Sequence, residues 1–160
     1  MTSQFFIYNK NKVIQALRYH FITRREIKVM IILINVFAIL SAVLFYLKKI
    51  QPVSFLGFSV MWFILMIVFW FLLPQMVYKK SATFKDRLRV LLMDQELRIE
   101  NEKGGQSWGW DKFSSWMESP HFYHVYFNTR SFFIIPKDAF EGEDVHEARR
   151  ILKEKIIKRA

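Results

Sequence analysis

His121 and His124 are the nearest thing in this chain to a metal-binding pair. Two imidazoles can share a zinc-like ion when the backbone brings both rings to one centre. Here Phe122-Tyr123 and Val125-Tyr126-Phe127 favour a strand, where positions three apart point to opposite faces. No carboxylate has a spacing that completes a site. The chain has no cysteine, which removes disulfides, thiolate catalysis and cysteine-ligated zinc or iron–sulfur centres. Gly104-Gly105 lacks the flanks of a phosphate-binding loop or a dinucleotide fingerprint, and no Gly-x-Ser-x-Gly elbow occurs. His20 stands alone and reads as an interfacial side chain rather than a catalyst. The acidic residues are scattered over exposed strand positions and one helix start. The expectation is therefore no enzyme, no metal and no cofactor.

The elements around these residues are dominated by two apolar runs, 29–47 and 53–73, each bracketed by lysines and arginines. About 20 apolar residues match the roughly 30 Å hydrocarbon core of a bilayer. A core helix of a soluble domain keeps a polar face, but the first run offers only Asn35, Ser41 and Tyr46, and the second only Ser54 and Ser59. Both runs read as transmembrane helices. The first apolar stretch starts too late and runs too long for a cleavable signal peptide. Five residues, 48–52, join the spans into a hairpin with both termini on one side. Neither span holds an ionisable side chain, which favours an anchor over an ion or proton path. The second span is rich in aromatic rings, and Gly57 and Ser59 are its likeliest points of close helix approach.

The net charge of +10 is unevenly distributed. Residues 1–28 carry +5, the loop +2, residues 79–89 carry +4, and residues 90–160 carry −1. Positive charge beside the spans places both termini in the cytoplasm and predicts a multi-pass protein of a bacterial inner membrane. Arg24, Arg25, Lys28, Lys79 and Lys80 are the candidate contacts to lipid headgroups, at about 1 kcal/mol per basic residue near an anionic leaflet. The excess lies beside the membrane rather than on the folded part, so nucleic acid is not an expected partner.

Outside the spans, residues 3–8 read as a strand, and Asn9 or Asn11 can cap an amphipathic helix that leads to residue 28. From residue 87 the apolar period changes to two. Strands are expected over 88–93, 96–101, 106–110, 114–118, 122–128 and 131–135, with turns at 94–95, 103–105, Pro120 and 128–130. The strand over 106–110 would put Trp108 and Trp110 on one face. Pro136 should end the last strand, and an amphipathic helix over 143–159 should close the domain. The organisation is thus an N-terminal segment 1–28, two spans, and one cytoplasmic domain over 79–160 to which the strand 3–8 can return.

Three segments carry a resemblance: 108–116 (WGWDKFSSW), 122–127, and 134–140 (IIPKDAF). They resemble the YcxB-like family of bacterial membrane proteins, through Trp110, Phe113, Ile135, Pro136, Lys137, Ala139 and Phe140. The resemblance implies a pleckstrin-homology-like barrel of seven strands closed by a C-terminal helix. One strand before the spans and six after them fit that count. It supplies no catalytic or binding residues, and the motif residues read as structural: Trp110 and Phe113 anchoring a turn, and Pro136 to Phe140 leading to the helix. The fold class expected is an α+β membrane protein, a two-helix hairpin plus this small β-rich domain. The expected role is a non-enzymatic interaction module for lipid headgroups or a protein partner. The alternative is a small oligomeric transporter or channel subunit lined by Asn35, Ser41 and Ser59.

Overall fold

A helix can start where a side chain satisfies its first orphan N–H groups, and Asn9 does this. Its Oδ1 accepts the backbone N–H of Asn11 (3.0 Å) and of Lys12 (3.2 Å), opening α1 (Lys10–Thr23). The computed structural model describes residues 1–129 and 131–156, divided between two units. One unit comprises Met1–Ala16 and the described residues from Ser81 onward; the other is Leu17–Lys80. Helix α1 begins in the first and ends in the second.

In the first unit, β1 (Phe6–Ile7) lies antiparallel to β2 (Arg87–Leu92), with Phe6 opposite Leu88 and Ile7 opposite Arg87. A strand that precedes the apolar helices therefore pairs with the first strand that follows them, so the hairpin is an insertion in a sheet. The ladder of β1 is shorter than the expected 3–8 because side-chain and turn contacts replace rungs. The Ser3 amide donates to Val90 O (2.8 Å) while Ser3 Oγ accepts the Val90 N–H (2.9 Å), and the Gln4 amide donates to Ala139 O (2.9 Å).

The sheet continues through β3 (Glu96–Asn101) to β4 (Gly104–Gly109) in the order β1-β2-β3-β4. Asn101 pairs with Gly104, so the turn is Glu102-Lys103 rather than 103–105, and Gly104 takes a φ of 150° that only glycine adopts freely. Trp110 does not share β4 with Trp108. It starts a short 3-10 turn (Trp110–Lys112) whose change of direction ends the ladder. A second antiparallel sheet follows: β5 (Ser115–Glu118), β6 (Phe122–Tyr126) and β7 (Phe132–Pro136), in the order β5-β6-β7. Helix α5 (Asp144–Lys155) buries Ala148 and Leu152. The expected helix end at 157–159 lies outside the described residues.

The expected barrel is not closed. Among the described residues no ladder joins the two sheets; they are linked by single contacts such as Gln4 to Ala139 and the Tyr8 hydroxyl donating to Ile134 O (2.7 Å). The core takes Leu88, Val90, Leu92 and Leu97 from one sheet and Phe122, Val125, Ile134 and Ile135 from the other. Burial pushes the Tyr8 hydroxyl pKa up, so it stays a donor.

The second unit is an antiparallel pair of long helices. Arg24 adopts an extended conformation that separates α1 from α2 (Arg25–Tyr46). Leu47 ends α2, and Lys48 takes the left-handed φ of 56°. The Lys49 amide then donates to Leu44 O (2.8 Å) and the Lys48 amide to Phe45 O (2.9 Å), the Schellman pattern. Pro52 starts α3 (Pro52–Ile67) at a position where no N–H is needed. The helix continues through a π-helical turn (Val68–Leu72) into α4 (Leu73–Lys80), a turn and more beyond the expected end at 73. Both Arg25–Tyr46 and Pro52–Lys80 are long and apolar enough to cross a membrane. Helix α2 buries only Ser41 and α3 buries nothing. Ring pairs Phe45–Phe55 (4.5 Å, stacked) and Phe37–Phe58 (5.3 Å, edge-on) join the two.

Candidate membrane-facing interface

A proline inside a helix deprives the carbonyl four residues earlier of its donor. In the second long helix that proline is Pro74 and the carbonyl is that of Trp70, within the π-helical turn. π-turns relieve such clashes by widening the helix. The freed oxygen accepts a hydrogen bond from Arg18 Nε (2.9 Å), and the Arg18 guanidinium lies 5.4 Å from the centre of the Trp70 ring and 5.2 Å from that of Phe71. One cation thus satisfies an orphan acceptor and covers two aromatic rings. Arg18 reads from sequence only as one of several basic residues before the spans. The readable signal was the spacing of Trp70 to Pro74.

The candidate headgroup contacts flank the same unit. Arg24 is the N-cap of α2, Arg25 and Lys28 lie exposed in its first turn, and Lys79 and Lys80 lie exposed at the end of α4. Cations at a helix C-terminus such as Lys79 and Lys80 also complement its dipole. His20 differs from its expected interfacial place. It follows Ala16 by four and Leu17 by three, shares their face, and is buried. Burial, and then the charge of Arg24, hold its pKa down to about 4, so it is neutral at pH 7.

Three polar groups of the long helices are turned onto their own backbone. Asn35 Nδ2 donates to Ile31 O (2.8 Å), Ser41 Oγ to Ala38 O (2.9 Å) and Ser59 Oγ to Phe55 O (2.9 Å). Gly57 has open space where a Cβ would stand, so it is not a point of close helix approach.

In the other unit the motif residues are joined through the frame rather than gathered in a cleft. Trp110 Nε1 donates to Met93 O (3.0 Å), holding the turn between β2 and β3, and its ring lies 6.0 Å from that of Phe113. Ile135, Ala139 and Phe140 are buried, Pro136 is the last residue of β7, and the Lys137 amide donates to His121 O (2.9 Å). The Pro136 to Phe140 turn also receives the N-terminal segment: Gln4 at Ala139, and Lys12 Nζ at Asp138 Oδ2 (2.7 Å). Its buried and backbone-bonded residues therefore hold in place the N-terminal segment that leads into α1.

Glu118 gathers two cations. Lys137 Nζ donates to it (2.6 Å), as does Arg149 of α5, and Lys137 lies 5.4 Å from the Tyr123 ring. Burial pushes the Glu118 carboxyl up, but the hydrogen bonds and charges of Lys137 and Arg149 outweigh it and hold the pKa below the usual carboxylate value. The Tyr123 hydroxyl is spent on Val145 O (2.8 Å). His124 is fully buried with Nε2 at 2.9 Å from Ser119 Oγ, whereas His121 is exposed before β6, so the two do not converge. Among the described residues no three His, Asp or Glu side chains gather as a metal site. These groups serve cohesion: they tie α5 and the turns to the second sheet.

No curated protein and no solved structure matches this chain. Residues 92–152, from the last residue of β2 to Leu152 of α5, match the family model described as YcxB-like protein, and over that segment the chain is similar to this family.

Proposed function

We propose that this chain is a non-enzymatic protein of a bacterial cell membrane, whose β-rich domain works at the lipid surface as a headgroup-binding module. The hairpin would span the bilayer with both termini in the cytoplasm, as the charge beside the spans favours. The observation that carries this reading is the pairing of β1 with β2 across the inserted hairpin. A domain built from chain on both sides of the spans is tied to the bilayer twice, and Arg24, Arg25, Lys28, Lys79 and Lys80 stand at those two passages. The apolar surface left bare on α2 and α3 is what hydrocarbon solvates and water does not. Four strands, then three, then a helix is an order that supports a pleckstrin-homology-like architecture. Tyr8, Glu118, Tyr123 and the Nε2 of His124 are engaged in structural contacts, which favours a non-catalytic role.

The full chain in bilayers containing spin-labelled lipids tests this. Spin-labelled phosphatidylglycerol should be held several-fold more than phosphatidylcholine. That preference should fall with salt and with the combined changes Arg24→Glu, Arg25→Glu, Lys79→Glu and Lys80→Glu. Equal retention of both lipids would remove the headgroup role. A second reading, docking of an extended segment of a protein partner, has one observation in its favour. Strand β4 pairs only with β3 among the described residues, and a groove of about 380 Å³ lies beside it, lined by Leu88, Ile99, Gln106, Trp108 and Phe133. Backbone crosslinking from an amino acid with a photoreactive side chain at Ser107 would capture that partner.

A further inference from the structure

Alternation along β1 turns Phe6 and Tyr8 into the core and leaves Phe5 and Ile7 on the outer face, 41% and 69% exposed. Ile7 stands opposite Arg87. The Phe5 ring lies beneath two guanidinium groups, 5.2 Å from Arg87 and 4.9 Å from Arg89. Lys85 is exposed two residues earlier. The matching acids stand one strand further in. Glu100 of β3 binds Arg89 and Arg98, both at 2.8 Å, and Glu102 reaches Arg87 only at 3.8 Å in the open. The outer face of this sheet is therefore apolar and basic along β1–β2 and mixed in charge along β3, where Glu100 is shared between Arg89 and Arg98.

Bare aromatic and branched side chains among arginines make an unfavourable aqueous surface, and the combination matches the boundary between acyl chains and anionic headgroups. Chain order points to the same place. Strand β1 is separated from α1 by two residues, and six residues, 81–86, lead from α4 into β2. Six residues are at most about 20 Å of chain. The two strands that carry the patch are thus the two from which the chain enters and leaves the membrane unit.

We propose that Phe5, Ile7, Arg87 and Arg89 form a second lipid contact, borne on the sheet rather than on the helix ends, with the two apolar side chains lodged at the acyl boundary and the arginines on lipid phosphates. This rests on the reading of α2 and α3 as membrane spans.

The absence of native cysteine makes the test direct, because each introduced thiol is unique. The full chain, with Ile7→Cys or Phe5→Cys carrying a nitroxide, is placed in bilayers of phosphatidylcholine with and without phosphatidylglycerol. Collisions with oxygen and with a water-soluble nickel chelate are then measured. Ile39→Cys, in the middle of α2, reports insertion of the hairpin, and Lys153→Cys on α5 gives the aqueous reference. In anionic bilayers the labels at 5 and 7 should gain oxygen contact and lose nickel contact several-fold relative to position 153. The Arg87→Gln change should reduce that protection on the Ile7→Cys background. If positions 5 and 7 collide with nickel as freely as position 153 while position 39 remains in lipid, the proposal is overturned and the spans stand. If position 39 is also open to nickel, the span reading itself has failed. Low collision with both reagents at 5 and 7 means that a protein surface, such as a second copy, covers the patch, and overturns the lipid assignment.

Discussion

The two units spend their apolar residues in opposite ways. In the sheet unit, Leu88, Val90 and Leu97 are sealed inside while Arg87, Arg89, Glu96 and Arg98 alternate with them on the outer face, and every residue of β6 is buried. In the helical unit, Leu33 and Ile39 are more than half exposed, while three polar side chains bond back to their own backbone. The difference teaches that hydrophobicity alone sets no direction. A sheet whose period is two has an inside and an outside, whereas a helix apolar on every side has only a solvent that suits it.

The largest effect should come from paired truncations that set one unit against the other. Leu97→Ala should cost about 3 kcal/mol, seen as a lower midpoint in thermal unfolding of the detergent-solubilised chain, because a filled core closes poorly over the cavity. Ile39→Ala, on a bare helix surface, should leave the midpoint nearly unchanged. Equal losses would break the contrast.

Next is the Arg18 contact. Arg18→Met should cost about 1–2 kcal/mol by leaving the Trp70 carbonyl without its donor. Pro74→Ala supplies an N–H at the position four residues on, so the loss from Arg18→Met should shrink in the Pro74→Ala background. A double-mutant cycle in lipid nanodiscs reads this coupling, and purely additive losses would sever Arg18 from the proline.

A smaller gain is expected at the hairpin turn. Lys48→Gly removes a non-glycine residue from φ 56°, and unfolding of the helical unit should become harder by about 1 kcal/mol.

Smallest near neutral pH are two titrations that separate the units by their windows. His20 has a folded pKa of about 4 against 6.5 unperturbed, so the unfolded chain binds the proton first. Stability from His20 is complete above pH 6.5 and is lost as pH falls from there toward 4. Glu118 is also lowered, from 4.5, so its contribution is present above that value and is lost only on further acidification through its folded pKa. Unfolding followed against pH should show the first slope vanish in His20→Phe and the second in Glu118→Gln. A slope that survives its own substitution would assign the titration elsewhere.

Much of this organisation was legible in the residues. The two apolar runs, the cap at Asn9, the strand over 96–101 and the family segment were readable because each rests on local spacing or a local side-chain bond. Local alternation places a strand over 106–110 with Trp110 in it, whereas the ladder runs over Gly104–Gly109 and Trp110 opens a 3-10 turn, its indole bonded to Met93 O, 17 residues away. His20 was assigned to the interface because a single histidine in a basic helix looks amphipathic; its burial depends on the face it shares with Ala16 and Leu17. Charge counting names the basic residues at 24, 25, 28, 79 and 80 as candidates but does not single out Arg18. Its role depends on an acceptor 52 residues away, freed by a proline.

By itself the sequence determined the period of each segment: apolar on all sides over the long helices, alternating after residue 87, and charged at the boundaries. Those follow from composition and from dihedral preferences that act within a few residues. Only the tertiary structure decided that β1 crosses the inserted hairpin to join β2, that the two sheets stay unclosed, and that Arg18 meets Trp70. Each of these joins groups far apart in the chain, and which distant donor meets which acceptor is set by the packing of the whole, not by any local spacing.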